Sequence, residues 1–284
     1  MQKTVRWRPV VPFLLMLPVA ALLLVPILWV ISASFQTSGQ IIQNPFRWIP
    51  DTWSLQNYGD AWNGVAADAI APLSDPFKSS LIVVAIAVPL HVLFNTYIGY
   101  VLAKYRFPLK KVLLFLILIT MMIPQAITLF PNYLTIKNLS LIDTQAGIAL
   151  PFLVSGFGVF LMMQFARSVP DEYLEAARMD GATDAWIFVR IAAPLMKPAI
   201  ATLSILMFTY MWNEYTWSHL IVNSTSVMTM PVVLANDGLN STGNASYIPI
   251  MLAGTVLSFL PILAIFLIFQ RQFIESVSQS GIKG

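Results

Sequence analysis

The chain has 284 residues, of which 57% are hydrophobic and only 10% are charged, with a formal net charge of +3. Ordinary soluble domains carry about 25% charged residues, so this composition excludes a soluble fold and predicts an all-α polytopic membrane protein. The absence of cysteine excludes disulfides and cysteine-based metal sites or nucleophiles. We interpret the small basic excess as charge segregation across a bilayer rather than as a nucleic-acid surface.

Six apolar stretches have the length of roughly 20 residues that a helix needs to cross the hydrocarbon core. In chain order they cover about 10–33, 79–103, 112–134, 144–165, 196–222 and 248–269. The first stretch follows Lys3, Arg6 and Arg8. The apolar core of a signal peptide is also preceded by basic residues. The apolar run of the first stretch is longer than the about 7–15 residues of a signal-peptide core, which predicts a retained helix.

The distribution of lysine and arginine predicts the orientation of these six transmembrane helices. Most of the 16 basic residues precede the first stretch, follow the second or sixth, or lie between the fourth and fifth. The opposite side keeps only Arg47, Lys78 and Lys137. Because basic residues are enriched in cytoplasmic segments, we expect the N- and C-termini to be cytoplasmic.

Three regions follow from this topology. Residues 1–78 hold the first helix and an external loop, residues 79–270 form the transmembrane core, and residues 271–284 form a cytoplasmic tail. The first external loop contains Trp48, Trp53, Tyr58 and Trp62. A loop so rich in aromatic residues is typical of a small folded cap or docking surface rather than of a slack linker.

A charged insert at about 168–194 separates the fourth and fifth apolar stretches. Ser168 and Asp171 have capping-box spacing, and the following "DEYLEAARMD" is rich in helix formers. Gly181 stands where a C-cap glycine would permit a positive φ, and Thr183 or Asp184 can cap a second short helix. Helices this short need a packing partner. That partner is either a cytoplasmic protein or, if the two helices form an amphipathic pair, the surface of the bilayer.

The spacing Glu175-Ala176-Ala177, three residues, Gly181, nine residues, Ile191, two residues and Pro194 resembles the EAA loop of inner-membrane permeases in binding-protein-dependent ABC importers. The family has leucine where this chain has Ala193. The segments "WSLQNYGDAW", "YVLAKYRFP", "MWNEYTW" and "MPVVLAN" and the tail "SGIKG" further resemble maltose-type carbohydrate permeases, in particular the six-helix member of each permease pair.

This resemblance implies a type I ABC importer transmembrane domain in the prokaryotic inner membrane, surrounded by lipid. Its implied partners are a second homologous permease, two cytoplasmic ATPase subunits and an extracytoplasmic solute-binding protein, with a carbohydrate as cargo. ATP and magnesium would bind the ATPase, so that this chain needs no cofactor, metal or nucleic acid. The residues that would dock on the ATPase are Glu172, Glu175, Ala176, Ala177, Asp180, Gly181, Ile191 and Pro194. Their movement would carry the fourth and fifth spans.

Candidates for the substrate pathway are polar or aromatic residues within or near the predicted spans, where such groups are rare. They are His91, Asn95, Gln125, Tyr133, Ser155, Tyr210, Asn213 and Glu214. Hydrogen bonding between helices is the alternative role for each of them. Glu214, the one acid within a predicted span, could belong to a structural polar network or line the pathway.

Catalysis by this chain is not expected. The sequence lacks a Gly-x-x-x-x-Gly-Lys-Ser/Thr phosphate-binding loop, its histidines His91 and His219 lie in different spans, and no acid–base pair stands out. Other functions remain open: an ABC importer for a polyamine or phosphorylated polyol, an ion-coupled secondary transporter or a membrane scaffold. The secondary transporter would require paired intramembrane charges or internal pseudo-symmetry, and neither is evident.

Overall fold

The computed structural model describes residues 10–44, 47–65, 71–240 and 247–281. The basic residues Lys3, Arg6 and Arg8 lie outside this part of the chain, as do the last three residues of the predicted tail. The helices run in the order α1 (Val10–Ala33), α2 (Ser38–Gln43), α3 (Gln56–Asn63), α4 (Ser74–Lys104), α5 (Lys110–Thr120), α6 (Gln125–Asn138), α7 (Gln145–Ala149), α8 (Gly156–Arg167), α9 (Asp171–Met179), α10 (Asp184–Ile187), α11 (Ala193–Leu195), α12 (Lys197–Trp212), α13 (Thr216–Ile221), α14 (Met230–Asn240) and α15 (Ile248–Gly281). A 3₁₀ turn, Leu150–Phe152, follows α7, and a π-helical turn, Phe188–Ala192, joins α10 to α11.

By length and composition, the described residues contain three single helices that could cross a membrane, or up to six spans if each of three bent pairs counts as one. The single helices cover Leu14–Ala33, Ser74–Lys104 and Ile248–Gln270. The bent pairs combine α5 with α6 at 103°, Gln145–Phe152 with α8 at 53°, and Asp184–Leu195 with α12 at 81°.

Proline and capping residues explain two of the bends. Pro124 precedes α6 with extended backbone angles, so the helical hydrogen bonding of α5 does not continue into α6. The amide of Pro151 lacks a hydrogen to donate within the turn before α8. Ser155 then caps α8 by accepting a hydrogen bond from the Gly158 amide at 2.9 Å.

The fifth predicted stretch, 196–222, is not one helix. Its first part, α12, ends at Trp212, and a separate helix, α13, begins at Thr216. The intervening residues 213–215 form a turn. The apolar run in the sequence therefore overestimates the length of the span, because an apolar pattern does not reveal where backbone hydrogen bonding stops.

The chain divides into two compact units. The first comprises Met1–Ser74 and Leu234–Phe259, and the second comprises Asp75–Val233 and Leu260–Gly284. In the first unit, the Asn57 amide donates to the carbonyls of Ser34 and Gln36 at 2.8 and 2.9 Å. The ring of Phe35 packs on those of Trp53 and Tyr58, with centroids 5.4 and 5.1 Å apart. The aromatic loop thus folds against the C-terminal end of α1.

The second unit is built around α4. A Cβ added at Gly99 would lie 2.7 Å from the Met163 amide nitrogen, so the glycine permits α4 and α8 to approach closely. Next to this contact, Tyr100, Met162, Leu174 and Ile187 are all buried in one apolar cluster. This cluster joins α4 and α8 to the two short helices α9 and α10.

Candidate functional site

The first helix of the charged insert, α9, begins directly after Pro170. Asp171 and Glu172 occupy its first turn, where carboxylates interact favourably with the helix dipole. The capping box predicted at Ser168 is wrong, because the Ser168 hydroxyl donates instead to the Phe165 carbonyl at 2.7 Å. Ser168 thereby belongs to the end of α8 rather than to the start of α9.

Gly181 makes the turn between the two short helices. Its φ is +81°, which confirms the expected left-handed backbone after α9, and no atom lies within 4 Å of a Cβ built there. The Gly181 and Ala182 amides donate to the carbonyls of Arg178 and Ala177, each at 3.0 Å. These bonds satisfy carbonyls that the end of a helix leaves without partners. Backbone conformation, rather than lack of room, therefore requires glycine here.

Of the two caps that the sequence allowed, Thr183 and Asp184, Thr183 caps the second short helix. Its hydroxyl accepts a hydrogen bond from the Trp186 amide at 3.3 Å. From Asp184 the chain stays helical to Leu195, passing through the π-helical turn Phe188–Ala192. Such π-helical turns are uncommon and are found frequently at functional sites.

The two short helices enclose a groove of about 600 Å³. The predicted coupling residues that line it are Ala176, Ala177, Asp180, Gly181 and Ile191. The other three, Glu172, Glu175 and Pro194, are exposed outside the lining. The rings of Tyr173 and Trp186 also line the groove, although they are 60% and 50% exposed. We call residues 170–195 the coupling loop, after the role that the family resemblance implies.

Charged groups connect the coupling loop to α4. The hydrogen bond from Lys104 lowers the pKa of the Asp171 carboxyl below its usual value, so that it is ionised at neutral pH. The Arg178 guanidinium lies 5.4 Å from the ring centroid of Tyr105 and 3.4 Å from a carboxylate oxygen of Asp184. Burial raises the pKa of the Tyr105 phenol, which leaves it protonated.

An apolar cavity of about 460 Å³ lies between α4, α12 and the turn before α8. Three predicted pathway residues, His91, Ser155 and Tyr210, are among its lining residues. A ring nitrogen of His91 is hydrogen-bonded to the Phe152 carbonyl at 2.7 Å, so the break in the helix supplies a partner for the buried imidazole. The remaining lining is mainly aliphatic and aromatic: Pro151, Phe152, Val154, Phe157, Leu203, Leu206 and Met207.

A second cavity, of about 450 Å³, is more polar. Its lining contains the predicted residues Gln125, Tyr210, Asn213 and Glu214, together with Ala126, Leu129, Tyr215 and Thr216. Tyr210 lines both cavities, and its hydroxyl donates to the Gln125 amide oxygen at 3.0 Å. This hydrogen bond joins α12 to the start of α6.

Two predicted pathway residues line neither cavity. The amide nitrogen of Asn95 donates to the carbonyls of His91 and Leu153 at 2.6 and 3.0 Å, and its oxygen accepts from the Ser155 amide at 3.0 Å. Asn95 thus fixes the turn before α8 to α4. Tyr133 lies half-buried on α6.

Glu214 lies in the turn after α12 rather than inside a spanning helix, where the sequence analysis expected it. It is 7% exposed. One carboxylate oxygen accepts from the Trp217 amide at 2.7 Å, and the other accepts from the amide and the hydroxyl of Ser218, each at 2.8 Å. The carboxylate thereby satisfies backbone donors at the start of α13.

Sequence reasoning missed several residues of these sites. Lys104 and Tyr105 were noted only as parts of the segment that ends the second span, Tyr215 and Thr216 were noted only within "MWNEYTW", and Phe152 carried no motif. A basic residue directly before an aromatic one at the end of a span was a usable signal for a contact with the charged insert. The cavity residues gave no such signal, because they meet only through tertiary packing.

Comparison with known proteins agrees with this architecture. Residues 95–279 match the family described as the inner membrane component of binding-protein-dependent transport systems. The arabinooligosaccharide transport system permease protein AraQ of Bacillus subtilis is 36% identical over 235 residues, which are 83% of this chain and 81% of that protein. The sn-glycerol-3-phosphate transport system permease protein UgpE of Yersinia enterocolitica is 32% identical, covering 91% of this chain and 92% of its own.

Among solved structures, a chain of a bacterial ABC transporter involved in the import of the acidic polysaccharide alginate has the same fold, with a TM-score of 0.80 and 24% sequence identity. The superposition covers 96% of this chain and 99% of that one. The matched residues 95–279 include the C-terminal part of α4, the coupling loop, helices α5 to α14, and α15 except its last two residues. This chain therefore belongs to the family of inner membrane components of binding-protein-dependent transport systems.

Proposed function

We propose that this chain is one of two homologous permease subunits of an ATP-driven importer for neutral carbohydrates. The complex would contain two cytoplasmic ATPase subunits, which bind ATP and magnesium, and an extracytoplasmic binding protein that delivers the sugar. The observation that carries this proposal is the coupling loop, whose glycine turn and two short helices present an open groove.

The surface of the coupling loop supports docking on another protein. Tyr173, Met179 and Trp186 are 60%, 84% and 50% exposed, although the segment also carries several charged residues. Exposed apolar side chains with charged neighbours are typical of protein interfaces. The small residues Ala176 and Gly181 in the groove lining allow a partner to approach the backbone closely.

The two cavities support a neutral cargo. Neither lining includes a lysine or arginine among the residues that the structure describes, whereas binding of a phosphate or carboxylate usually uses such cations. The polar cavity offers uncharged hydrogen-bonding groups, among them Gln125, Asn213 and Thr216, beside the rings of Tyr210 and Tyr215. Hydroxyl-rich solutes need this combination of polar groups and an apolar face.

A polyamine is a less suitable cargo. It would need unpaired carboxylates, and the one carboxylate in either described lining, that of Glu214, already accepts hydrogen bonds from α13. A phosphorylated polyol, the cargo named for the Yersinia relative, would need a cation from elsewhere in the complex. These considerations favour a carbohydrate over both alternatives.

Transport by the importer reconstituted in proteoliposomes tests the proposal. With its binding protein and ATP, it should accumulate a radiolabelled neutral arabino-oligosaccharide but neither sn-glycerol-3-phosphate nor spermidine. Replacement of the phosphate-binding lysine in the ATPase should abolish uptake, because this chain contains no nucleotide-binding motif. Uptake that survived this replacement but collapsed with an ionophore would instead identify a secondary transporter.

A further inference from the structure

The C-terminal end of α4 is attached to the start of the coupling loop by Lys104. The side chain of Lys104 is 7% exposed. Its ammonium donates to the Val169 carbonyl and, at 2.7 Å, to a carboxylate oxygen of Asp171. A lysine shielded this completely requires charged or strongly polar partners. Lys104 therefore joins α4 to the N-terminus of α9.

Aromatic and charged contacts attach α4 to the rest of the coupling loop. The Arg178 guanidinium lies over the ring of Tyr105, the residue that follows α4. The ring of Phe188, in the π-helical turn, packs on Tyr97 and Tyr100, with centroids 5.1 and 5.3 Å apart. The end of α4 thus contacts the beginning, the middle and the far part of the loop, although it is distant from the loop in sequence.

Further towards its N-terminus, α4 reaches the apolar cavity. Gly99 packs directly on α8, and Asn95 hydrogen-bonds to both sides of the turn before α8. One turn before Asn95, His91 lines the cavity. Lys104 and His91 are separated by a helical rise of about 20 Å at 1.5 Å per residue. A single helix therefore connects the coupling loop with the cavity.

We propose that α4 transmits the movement of the coupling loop to the apolar cavity, and that Lys104 is the positioning residue that fixes the loop to this helix. The inference rests on the proposed docking of the loop on an ATPase. It changes the mechanism implied by the family resemblance, in which the fourth and fifth spans carry the movement. Those spans, α8 and α12, continue into the loop through the chain itself, whereas α4 can follow only through side-chain contacts.

The two kinds of contact between α4 and the coupling loop differ in how firmly they hold, and this difference makes Lys104 the decisive one. The contacts of Tyr97, Tyr100 and Phe188 are apolar and tolerate small sliding movements, as packed helices do in shear motions. A charge-assisted hydrogen bond is directional and short. Without the Lys104 ammonium, only these apolar contacts would hold the coupling loop, Phe188 included, and the loop could slide along the end of α4.

Spin labels test whether α4 and the loop move as one body, and the cysteine-free chain allows clean labelling. Single cysteines replace Leu81 on α4 and Val189 in the loop, which are 42% and 59% exposed. Double electron–electron resonance then measures their separation in the complete reconstituted importer, without nucleotide and with ATP trapped by vanadate. In the otherwise wild-type importer we expect one distance population that is the same in both states. In Lys104→Met, ATP should produce a second, shifted population.

Three further variants sharpen the test. Lys104→Arg should restore the single population, because arginine can donate to the same carbonyl and carboxylate. Asp171→Asn removes the charge of the exposed partner but keeps an accepting oxygen, and it should broaden the distribution less than Lys104→Met. Lys111→Met, at an exposed lysine on α5, is the matched control and should behave as wild type. An unshifted single population in Lys104→Met would overturn the proposal.

ATPase retention and ATP hydrolysis distinguish this proposal from the proposed function. Lys104→Met should retain its ATPase on purification and hydrolyse ATP, because the groove that faces the ATPase is unchanged. A purely structural role would lower the amount of permease in the membrane while the two labels still moved together, and that result would also contradict the proposal. If even the wild-type chain failed to retain an ATPase, the proposed function itself would be wrong.

Discussion

Two sharp turns in this chain interrupt helical stretches, and they are held in different ways. The turn at Gly181 is exposed and depends on a φ of +81°, with no atom within 4 Å of a Cβ built at the glycine. The turn after Trp212 is held by Glu214, which is 7% exposed and accepts hydrogen bonds from Trp217 and Ser218. The first turn is fixed by backbone conformation, and the second by a buried side chain.

This difference indicates what each turn can do. An exposed turn with open space around it can accommodate a partner, and its angle is set by the backbone conformation of Gly181 rather than by packing. A buried, fully hydrogen-bonded turn resists change, since any movement would leave donors without partners in an apolar environment. We therefore expect the Gly181 turn to act in coupling and the Glu214 turn to preserve the shape of the polar cavity.

The largest effect should follow Glu214→Ala. The substitution leaves the buried amides of Trp217 and Ser218 without acceptors, and each such group costs about 1–3 kcal/mol. We expect the free energy of unfolding to fall by about 2–6 kcal/mol, seen as a lower melting temperature by tryptophan fluorescence in detergent. Glu214→Gln retains one acceptor oxygen and should lose less.

Asn213→Ala is the matched control for this substitution. Asn213 is an exposed neighbour whose amide nitrogen donates to the Thr209 carbonyl at 2.8 Å. Its truncation should lower the melting temperature far less than Glu214→Ala. Equal stability losses in the two variants would mean that the Glu214 carboxylate does not hold the turn.

The second effect, Gly181→Val, should appear in assembly rather than in the stability of the spans. A residue with a Cβ costs about 1–2 kcal/mol in a left-handed conformation, and a β-branched one costs more. The variant should insert into the membrane, yet retain its ATPase poorly on co-purification and lose uptake.

Gly59→Val controls for the added side chain. Gly59 also has no atom within 4 Å of a built Cβ, but it lies within α3, where φ is helical. This variant should keep both the ATPase and uptake. If Gly181→Val behaved in the same way, the left-handed turn would not be required for coupling.

The same contrast explains how much could be predicted from the sequence. The Gly181 turn was predicted because a glycine between helix-forming segments has a local backbone meaning, and Thr183 followed from the same capping rules. The Glu214 turn was not predicted. Apart from Asn213, Thr216 and Ser218, the residues around it are apolar or aromatic. The sequence therefore predicts one span from 196 to 222, whereas the helix ends at Trp212.

The cavities show the same limit. His91, Ser155 and Tyr210 were selected individually as polar or aromatic residues in apolar stretches, and the structure brings them to one cavity. Asn95 was selected by the same reasoning, but its amide nitrogen and oxygen are both hydrogen-bonded to the turn before α8. A sequence pattern identifies which residues are polar, but tertiary contacts decide which of their atoms remain available.

A smaller effect is expected for Thr183→Ala at the second half of the coupling turn. Loss of the cap to the Trp186 amide should destabilise α10 by about 0.5–2 kcal/mol. ATPase retention should fall less than in Gly181→Val, because the glycine turn itself is intact. Thr183→Ser preserves the accepting hydroxyl and should retain the ATPase as wild type does. A deficit as large as that of Gly181→Val would show that the cap, rather than the glycine, determines the turn.

The smallest effect concerns the ion pair that spans the Gly181 turn. Arg178 and Asp184 lie 3.4 Å apart, with side chains 42% and 61% exposed, and exposed pairs contribute about 0–1 kcal/mol. Salt screens such pairs, since the Debye length falls from about 10 Å at 0.1 M to about 3 Å at 1 M. High salt should therefore accelerate hydrogen exchange at the amides of Gly181 and Ala182 slightly in wild type and not in Asp184→Asn. The amides of Trp217 and Ser218 should not respond, because the Glu214 carboxylate is buried. An equal response to salt at both turns would remove the distinction between them.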